Sequence, residues 1–265
     1  MGHSMMDVRL FRGEVLRLRS WLRTGIGILS ESARTNQKWI ELTFKYRQAE
    51  NLICLKIKKD NGLGIEMITE AGIIGKIGMN GKGVGCTLNA IKAKGVSFSK
   101  LPCHLALRTV MESESREAAI DTLEKAGVAS ACHILVADVT GGTGLECSSE
   151  DIVRLEMDRK GVVTHTNHYV LEHKPTVVEA HDWLPDTRFR LRRIGEILNA
   201  AKEEQPSPEV VETLLRDEVE GDGAAICRTG KLSTLFSIVM NLGDKRARVV
   251  EGRPANPASK LTLNP

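Results

Sequence analysis

The grouping of hydrophobic patterns constrains this chain most, because strand-like and helix-like segments occur in separate runs. A period of two, as at Ile53, Leu55 and Ile57, predicts a strand, and spacings of three and four predict helices. Strands grouped apart from helices indicate an α+β fold with antiparallel sheets, whereas strict alternation would indicate a parallel sheet. The predicted strands cover residues 51–58, 65–70, 73–79, 84–91, 132–137, 144–148, 152–157, 162–165, 224–228, 234–240 and 246–250, and the predicted helices cover 102–111, 116–126, 186–203 and 208–218.

Turn and cap residues divide these segments. Asn80-Gly81 predicts a hairpin, because both central residues of that turn need a positive φ. Ser115 is predicted to cap the second helix and Gly127 to end it, and Ser207 is predicted to cap the fourth. Gly141-Gly142 is predicted as a turn between strands, and the residues after 250 as a proline-rich tail.

Composition excludes several classes of protein. The chain is 42% hydrophobic and 27% charged, which is ordinary for a globular protein. A net charge of +3 and only 4% aromatic residues argue against nucleic-acid binding. No apolar run approaches the roughly 18 residues that a membrane span needs. The six cysteines form no C-x-x-C pair, so we interpret them as reduced core residues rather than metal ligands or disulfides.

The basic excess lies at the N-terminus. Residues 1–48 hold nine Lys and Arg against four Asp and Glu, a net charge of +5, so the remaining residues carry −2 of the total of +3. We interpret residues 1–47 as a basic leader that is solvated and partly disordered. An Arg-rich amphipathic helix for organelle targeting is the alternative.

Two segments resemble binding sites but lack the full motif. The glycine-rich residues 72–85 contain neither a P-loop nor a G-x-G-x-x-G frame, and glycines in strands more often mark tight packing. His165, His168 and His173 have no H-E-x-x-H frame and follow the end of a strand. We therefore predict neither a nucleotide cofactor nor a metal, and we expect these imidazoles to be hydrogen-bonded in a turn.

Two polar residues are candidates for catalysis. Asn167 lies at the end of a predicted strand, where a side-chain amide can donate to a developing oxyanion. Arg228 follows the apolar residues 224–227, and an arginine that leaves a buried strand needs a carboxylate or a ligand as its partner.

Several blocks resemble one family of enzymes, the fungal isopenicillin N acyltransferases (acyl-coenzyme A:6-aminopenicillanic acid acyltransferases). They occur in the family's order and spacing and cover about residues 48–257. The two most specific blocks are EAGIIGKIG at residues 70–78 and HTNH at residues 165–168. The blocks are ITEAGIIGKIGMN at 68–80, GV at 83–84, LNA at 88–90, HTNH at 165–168, ICR at 226–228 and GRPANP at 252–257.

The resemblance implies an N-terminal-nucleophile hydrolase fold, an αββα four-layer sandwich. In this family a cysteine freed by self-cleavage attacks an amide or thioester, its own α-amino group acting as base, and passes the acyl group to water or an amine. The resemblance implies that Asn167 is the oxyanion donor and that Arg228 supports it electrostatically. It implies a small-molecule acyl donor, with acyl-coenzyme A as a co-substrate, and an amine acceptor. It places the substrate cleft at Thr69, Glu70, His165, Thr166 and His168.

The chain departs from the family pattern before residue 48. Residues 1–47 contain no cysteine and no Asn-Trp-Asp block, so no nucleophile is found there. We expect incomplete N-terminal strands that leave residue 51 onward as an exposed sheet edge. Gly85-Cys86-Thr87 mimics a processing site, but a buried strand thiol is inert, and we interpret Cys86 as a core residue.

Two functional hypotheses remain. The chain is either an acyltransferase or amidohydrolase of this family whose N-terminus is mispredicted or truncated, or a non-catalytic remnant that at most binds acyl-amide ligands. The predicted domains are a leader (1–47), the acyltransferase domain (48–257) and a tail (258–265). We expect an intracellular protein, cytoplasmic by default, because its last three residues are not a peroxisomal signal.

Overall fold

The computed structural model describes residues 51–265, apart from 182, 202, 204 and 223, and the backbone of three earlier segments. Those segments are the strands β1 (Met5–Leu10), β2 (Gly27–Ser32) and β3 (Gln37–Thr43). The later strands are β4 (Leu52–Lys58), β5 (Gly64–Glu70), β6 (Ile77–Asn80), β7 (Gly85–Ala90), β8 (Cys132–Asp138), β9 (Gly141–Cys147), β10 (Ile152–Glu156), β11 (Val163–His165), β12 (Phe236–Asn241), β13 (Arg246–Arg253) and β14 (Asn256–Leu263). The helices are α1 (Cys103–Met111), α2 (Arg116–Ala126), α3 (Thr187–Ala200) and α4 (Pro208–Leu215).

The strands form two antiparallel sheets. Sheet A has eight strands in the order β1-β4-β5-β6-β7-β8-β9-β10, and sheet B has six in the order β11-β2-β3-β12-β13-β14. Neighbours in sheet A from β4 to β10 are consecutive in sequence, so short turns suffice to build most of it. The first three strands belong to both sheets: β1 pairs with β4 at one edge of sheet A, while β2 and β3 lie between β11 and β12 in sheet B.

The helices position the ends of the strands. Helix α1 packs on β6, β7 and β8, and α2 packs on β8, while α3 contacts β11 and α4. The sheets approach each other where β2 and β3 meet β7, and where β11 meets β9. One apolar core runs through both sheets, since Ile134 of β8 and Ile238 of β12 belong to the same buried cluster. None of the described helices is long and apolar enough to cross a membrane.

The glycine-rich segment is explained by packing. A Cβ on Gly75 would collide with the carbonyl oxygen of His104 in the first turn of α1. A Cβ on Gly78 would collide with the carbonyl oxygen of Glu66 on the neighbouring strand. Both glycines therefore let backbones approach closely, as expected of glycine within a strand pattern.

Most predicted elements are confirmed. All four helices are present, Ser115 and Ser207 cap α2 and α4 by accepting from backbone N–H groups, and Gly127 follows α2. A hairpin at Asn80-Gly81 joins β6 to β7, but its turn differs from the predicted one, because the positive φ lies at Gly83 and Asn80 Oδ1 accepts from the N–H groups of Lys82 and Val84. These successes rest on local signals, which act without help from distant residues.

Four predictions about elements are wrong. Gly141-Gly142 begins β9, because Asp138 accepts from both the N–H and the hydroxyl of Thr140 and thereby places the turn one step earlier. Residues 224–228 are not a strand, and their backbone instead forms a short bridge and bends. The residues from 258 to 263 are not a tail, since they belong to β14, which pairs with β13. The expected open edge at β4 is covered by β1 along its length.

The alternative to a partly disordered leader, a basic amphipathic helix over residues 8–29, lies mostly outside the described residues. Only its ends are seen, in β1 and β2.

Candidate functional site

Asn167 lies in the turn that follows β11, and its backbone N–H and both polar atoms of its side chain are hydrogen-bonded. Its backbone N–H donates to the Thr187 hydroxyl at 2.7 Å, and its Nδ2 donates to the Ala90 carbonyl at the end of β7 at 2.9 Å. Its Oδ1 accepts from Arg190 Nη2 at 2.9 Å. The residue is only 2% exposed, so these contacts fix the carboxamide in one orientation.

A buried chain of charges joins Asn167 to Arg228. Arg190 Nε donates to Asp186 Oδ2 at 2.6 Å, and Arg228 Nη2 donates to the same oxygen. Asp186 precedes α3 and Arg190 lies one turn into it, so the helix start brings the two partners together. The structure thus assembles the two predicted catalytic residues through two residues that the sequence analysis did not select.

The charges in this cluster do not cancel. Two guanidiniums share one carboxylate, which leaves an excess positive charge among the described residues. Burial opposes ionisation of Asp186, but the two guanidiniums hold its pKa below the usual value. Burial, and then the nearby Arg228 charge, lowers the pKa of Arg190 to about 10, and burial lowers the pKa of Arg228. Arg228 Nη1 is buried without a hydrogen-bond partner in the described part of the chain.

Thr166 and His168 form a second hydrogen-bonded group beside Asn167. Thr166 donates its hydroxyl hydrogen to the Thr187 carbonyl, and Thr187 donates its own to Thr166 Oγ1 at 3.0 Å. His168 Nδ1 lies 3.0 Å from Thr187 Oγ1, so it is the imidazole that supplies the hydrogen of that contact. Burial, and then the Arg188 charge, lowers the pKa of His168 to about 4, which makes it neutral at neutral pH.

His165 belongs to a buried carboxylate network rather than to the Asn167 amide. Its Nδ1 donates to the Thr166 carbonyl at 2.8 Å, and its Nε2 lies 2.7 Å from Glu146 Oε1. Its ring stacks on His133 at a centroid distance of 3.7 Å. His173 contacts the other oxygen of Glu146 at 3.3 Å. Within the described residues no three His, Cys, Asp or Glu side chains are arranged to hold a metal ion.

Thr69 and Glu70 lie at the end of β5 and belong to a separate group of contacts. The Thr69 hydroxyl donates to the Ile73 carbonyl at 2.9 Å, which stabilises the turn between β5 and β6. Glu70 forms a buried ion pair with Lys76, whose pKa is lowered by burial and partly restored by this carboxylate. Neither residue makes a described hydrogen bond or ion pair with Asn167 or Arg228, so their place in a substrate cleft stays a prediction.

A second buried asparagine, Asn89, was not selected from the sequence. Asn89 lies next to Ala90, and its Oδ1 is 2.9 Å from His133 Nδ1. Thr87 and Asn89 alternate along β7 and so share one face of it. The atoms Asn89 Nδ2, Thr87 Oγ1 and His133 Nε2 are buried and make no hydrogen bond in the part of the chain that the structure describes. Asn89 stands in the LNA block of the family resemblance, which was the one signal that pointed to it.

The cysteines are placed as core residues. Five of the six are buried and Cys54 is half-buried. Burial raises the pKa of the Cys86 thiol to about 12, and the pKa values of Cys103 and Cys132, which hydrogen-bond to each other, are also raised. A nucleophilic thiol needs a lowered pKa and access to its substrate, and Cys86, Cys103 and Cys132 have neither.

The described surface also contains a cavity of about 430 Å³. It lies at the turn between β4 and β5, where Lys58, Gly64 and Gly81 line it. Strands β5 and β7 run away from this cavity toward their ends at Glu70 and Ala90. The cavity is therefore at the opposite end of sheet A from Asn167.

Solved structures share this fold. A variant of conjugated bile acid hydrolase from Clostridium perfringens superposes with a TM-score of 0.56 at 15% identity, covering 91% of this chain and 92% of that one. Penicillin V acylase from Agrobacterium tumefaciens superposes with a TM-score of 0.58 at 13% identity, covering 90% and 86%. At these identities the likeness concerns the fold.

Sequence comparison identifies the family. The chain is 37% identical over 220 residues to the 40 kDa form of acyl-coenzyme A:6-aminopenicillanic-acid-acyltransferase from Emericella nidulans, covering 81% of this chain. It spans 60% of the length of that relative. Residues 44–256 match the family model described as acyl-coenzyme A:6-aminopenicillanic acid acyl-transferase. The chain therefore belongs to the acyl-coenzyme A:6-aminopenicillanic acid acyltransferase family.

Proposed function

We propose that the chain takes part in acyl transfer or hydrolysis at an amide or thioester carbonyl, through an acyl-cysteine intermediate. The observation that carries the proposal is the Asn167 carboxamide, whose Nδ2 is oriented as a donor beside a buried cluster of excess positive charge. Fixed donors and positive charge stabilise the oxyanion that forms when a carbonyl carbon becomes tetrahedral. Family membership and the shared fold support the same class of reaction.

The proposed steps follow from this electrostatics. A thiolate attacks the carbonyl carbon, the C=O electron pair moves to oxygen, and Asn167 Nδ2 donates a hydrogen bond to that oxygen. Arg228 adds positive charge nearby. Collapse of the intermediate expels a thiol or an amine and leaves a thioester, which an amine or water then attacks.

The attacking group comes from the family resemblance. The family resemblance implies an N-terminal cysteine whose α-amine takes the thiol proton. Residues 1–47 contain no cysteine, and five of the six later cysteines are buried, which makes those five unsuited to attack. The described residues therefore supply the groups that polarise the carbonyl.

We further propose the four-layer αββα arrangement. Helices α1 and α2 pack on sheet A, α3 contacts β11 of sheet B, and strands of the two sheets contact each other. Asn167 follows the end of β11 and bonds to the end of β7, so it bridges the two sheets.

The proposed substrates are a small acyl donor, with acyl-coenzyme A as the first probe, and a small amine. Thr166 and His168 are the proposed cleft residues nearest to Asn167, since they share Thr187 with it. Thr69, Glu70 and His165 are retained as cleft candidates. The proposed location is inside the cell.

The test is an assay of the purified chain with octanoyl-coenzyme A and 6-aminopenicillanic acid. Mass spectrometry should detect the amide product and an intact protein heavier by one acyl group, and peptide mapping of the acylated protein should identify the cysteine that attacks. Asn167→Ala should slow formation of both about 10²–10³-fold, and Asn80→Ala is the matched control, because among the described contacts Asn80 bonds to backbone groups at the C-terminal end of α1 and in its own hairpin.

The second candidate function is binding of acyl-amide ligands without catalysis. It is favoured by the burial of the cysteines. Saturable octanoyl-coenzyme A binding without acylation or product would support it against the first proposal.

A further inference from the structure

We propose that Arg190 is a positioning residue that sets the orientation and donor strength of the Asn167 amide and couples it to Arg228. The proposal rests on the proposed function for its kinetic consequences, but its structural content stands apart from any activity. Its basis is one continuous set of contacts from Asn167 through Arg190 and Asp186 to Arg228.

The first step concerns orientation. The carboxamide of Asn167 has a donor end and an acceptor end, and either end could in principle face the Ala90 carbonyl. A guanidinium carries only donors, so the atom facing Arg190 Nη2 must be the amide oxygen. Nδ2 is then forced toward Ala90, and the described contacts use one of its two hydrogens. The second hydrogen is the one that the proposed function assigns to the oxyanion.

The second step concerns donor strength. Oδ1 accepts from a charged group that is 2% exposed, and hydrogen bonds from ionised donors are stronger than neutral ones. Such a bond draws electron density toward the oxygen and makes the N–H on the same amide a better donor. Arg190 therefore polarises Asn167 as well as orienting it.

The third step concerns Arg228. Asp186 Oδ2 accepts from both Arg190 and Arg228, so the two guanidiniums are tied to one atom. Asp186 precedes α3 but makes no side-chain bond to the helix start, and its carboxylate serves this bridge instead. A displacement of Arg190 would therefore also shift the partner of Arg228.

A lysine cannot reproduce these contacts. Arg190 uses Nε for Asp186 and Nη2 for Asn167, two donors in a rigid plane. An ammonium is a single point on a flexible stem. Arg190→Lys consequently keeps the charge and removes the geometry.

The kinetic experiment compares Arg190→Lys with Arg193→Lys in the acyl-transfer assay. Arg193 lies on the same helix and pairs with Asp217 and Glu196 outside the cluster, so it is a matched control. We expect Arg190→Lys to lower kcat about 10–100-fold with KM within about twofold, and Arg193→Lys to leave both unchanged. We expect the Asn167→Ala/Arg190→Lys double variant to be no slower than Asn167→Ala within about twofold. A change confined to KM, or a fully additive double variant, overturns the proposal.

A second measurement does not depend on activity. The side-chain amide of Asn167, assigned by its loss in Asn167→Asp, should exchange its hydrogens slowly in the unaltered protein. Arg190→Lys should speed that exchange at least about tenfold, and Arg193→Lys should not change it. Fast exchange in the unaltered protein overturns the proposal even if Arg190→Lys fails to fold. Slow exchange that depends on Arg190, in a chain without acyl transfer, rejects the proposed function and retains the positioning role.

Discussion

Two buried charged clusters in this molecule differ in whether their charges cancel. At the end of β5, Glu70 and Lys76 form a buried pair of one negative and one positive group. Beside Asn167, two arginines share Asp186, and Arg228 keeps a buried donor without a partner among the described residues. A cancelled pair has no electrostatic need for a ligand, whereas an excess buried charge favours an anion or a developing oxyanion.

The Glu70–Lys76 pair and the cluster around Asn167 therefore have different roles, although the family resemblance placed Glu70 and His168 in one substrate cleft. The Glu70–Lys76 pair lies in the block that carries the family resemblance, and we infer that it stabilises the fold. The Asn167 cluster is the one that we propose to polarise a carbonyl.

The largest effect should come from breaking the neutral pair. Lys76→Met leaves the Glu70 carboxylate buried without its partner, which should lower the free energy of unfolding by about 3–5 kcal/mol. Urea denaturation followed by circular dichroism measures this change. Any acyl transfer should persist per folded molecule, and its loss at full folding would place the pair in the site after all.

The double variant Glu70→Leu/Lys76→Met sharpens this result. Removing both charges should return stability to within about 1–2 kcal/mol of the unaltered protein, because no uncompensated charge remains. A double variant as unstable as Lys76→Met would mean that packing rather than charge pairing is the cause.

The next largest effect concerns Asn167. Asn167→Ala removes the proposed oxyanion donor and should lower kcat about 10²–10³-fold, with a much smaller change in KM. Steady-state kinetics of acyl transfer measures both constants. The buried Asn80→Ala control should lose stability by about 1–3 kcal/mol while kcat remains unchanged.

A pH effect of middle size should come from His168. Its pKa in the folded chain is about 4, below the ordinary value of about 6.5, so the unfolded chain binds a proton first as pH falls. The contribution of His168 is complete above about pH 6.5 and is lost between about pH 6.5 and 4. Over that window His168→Gln should lose about 1–3 kcal/mol less stability than the unaltered protein, measured by denaturation at a series of pH values. Equal losses in both proteins would contradict a neutral His168.

The smallest effect concerns Cys86. Cys86→Ala should cost about 1 kcal/mol of stability and leave acyl transfer unchanged, because this thiol is a core group with a pKa near 12. Native-state alkylation at neutral pH, followed by mass spectrometry, should leave Cys86 unlabelled. Rapid labelling there would reopen Gly85-Cys86-Thr87 as a reactive site.

The fold was predictable where local chemistry decides it. The caps at Ser115 and Ser207 act within a few residues, and the structure confirms them. The hairpin after Asn80 is also present, although its positive φ lies at Gly83 rather than at Asn80 and Gly81. Strand β14 was missed because it carries a proline and exposed residues, and only its pairing with β13 makes it a strand. The strands before residue 48 were missed although β2 and β3 pair with each other, and β1 and β3 also have partners that are distant in sequence.

The site was predictable in its endpoints but not in its connections. Asn167 and Arg228 followed from residue type, position and resemblance, and their roles stay predictions. Asp186 at a helix start indicates a cap, and nothing local shows that its carboxylate instead bridges Arg190 and Arg228. Such long-range pairing is decided by tertiary packing, which a single sequence does not display.

The close approaches at Gly75 and Gly78 bear on how this family is identified. Both glycines lie in the block from 68 to 80, and a side chain at either position would collide with backbone atoms and so disturb folding, independently of catalysis. Assembly therefore restricts this block whether or not the chain turns over a substrate. The residues that identify the family in this block are therefore ones that the fold requires. Membership of the family and catalytic activity are separate properties, and each needs its own measurement.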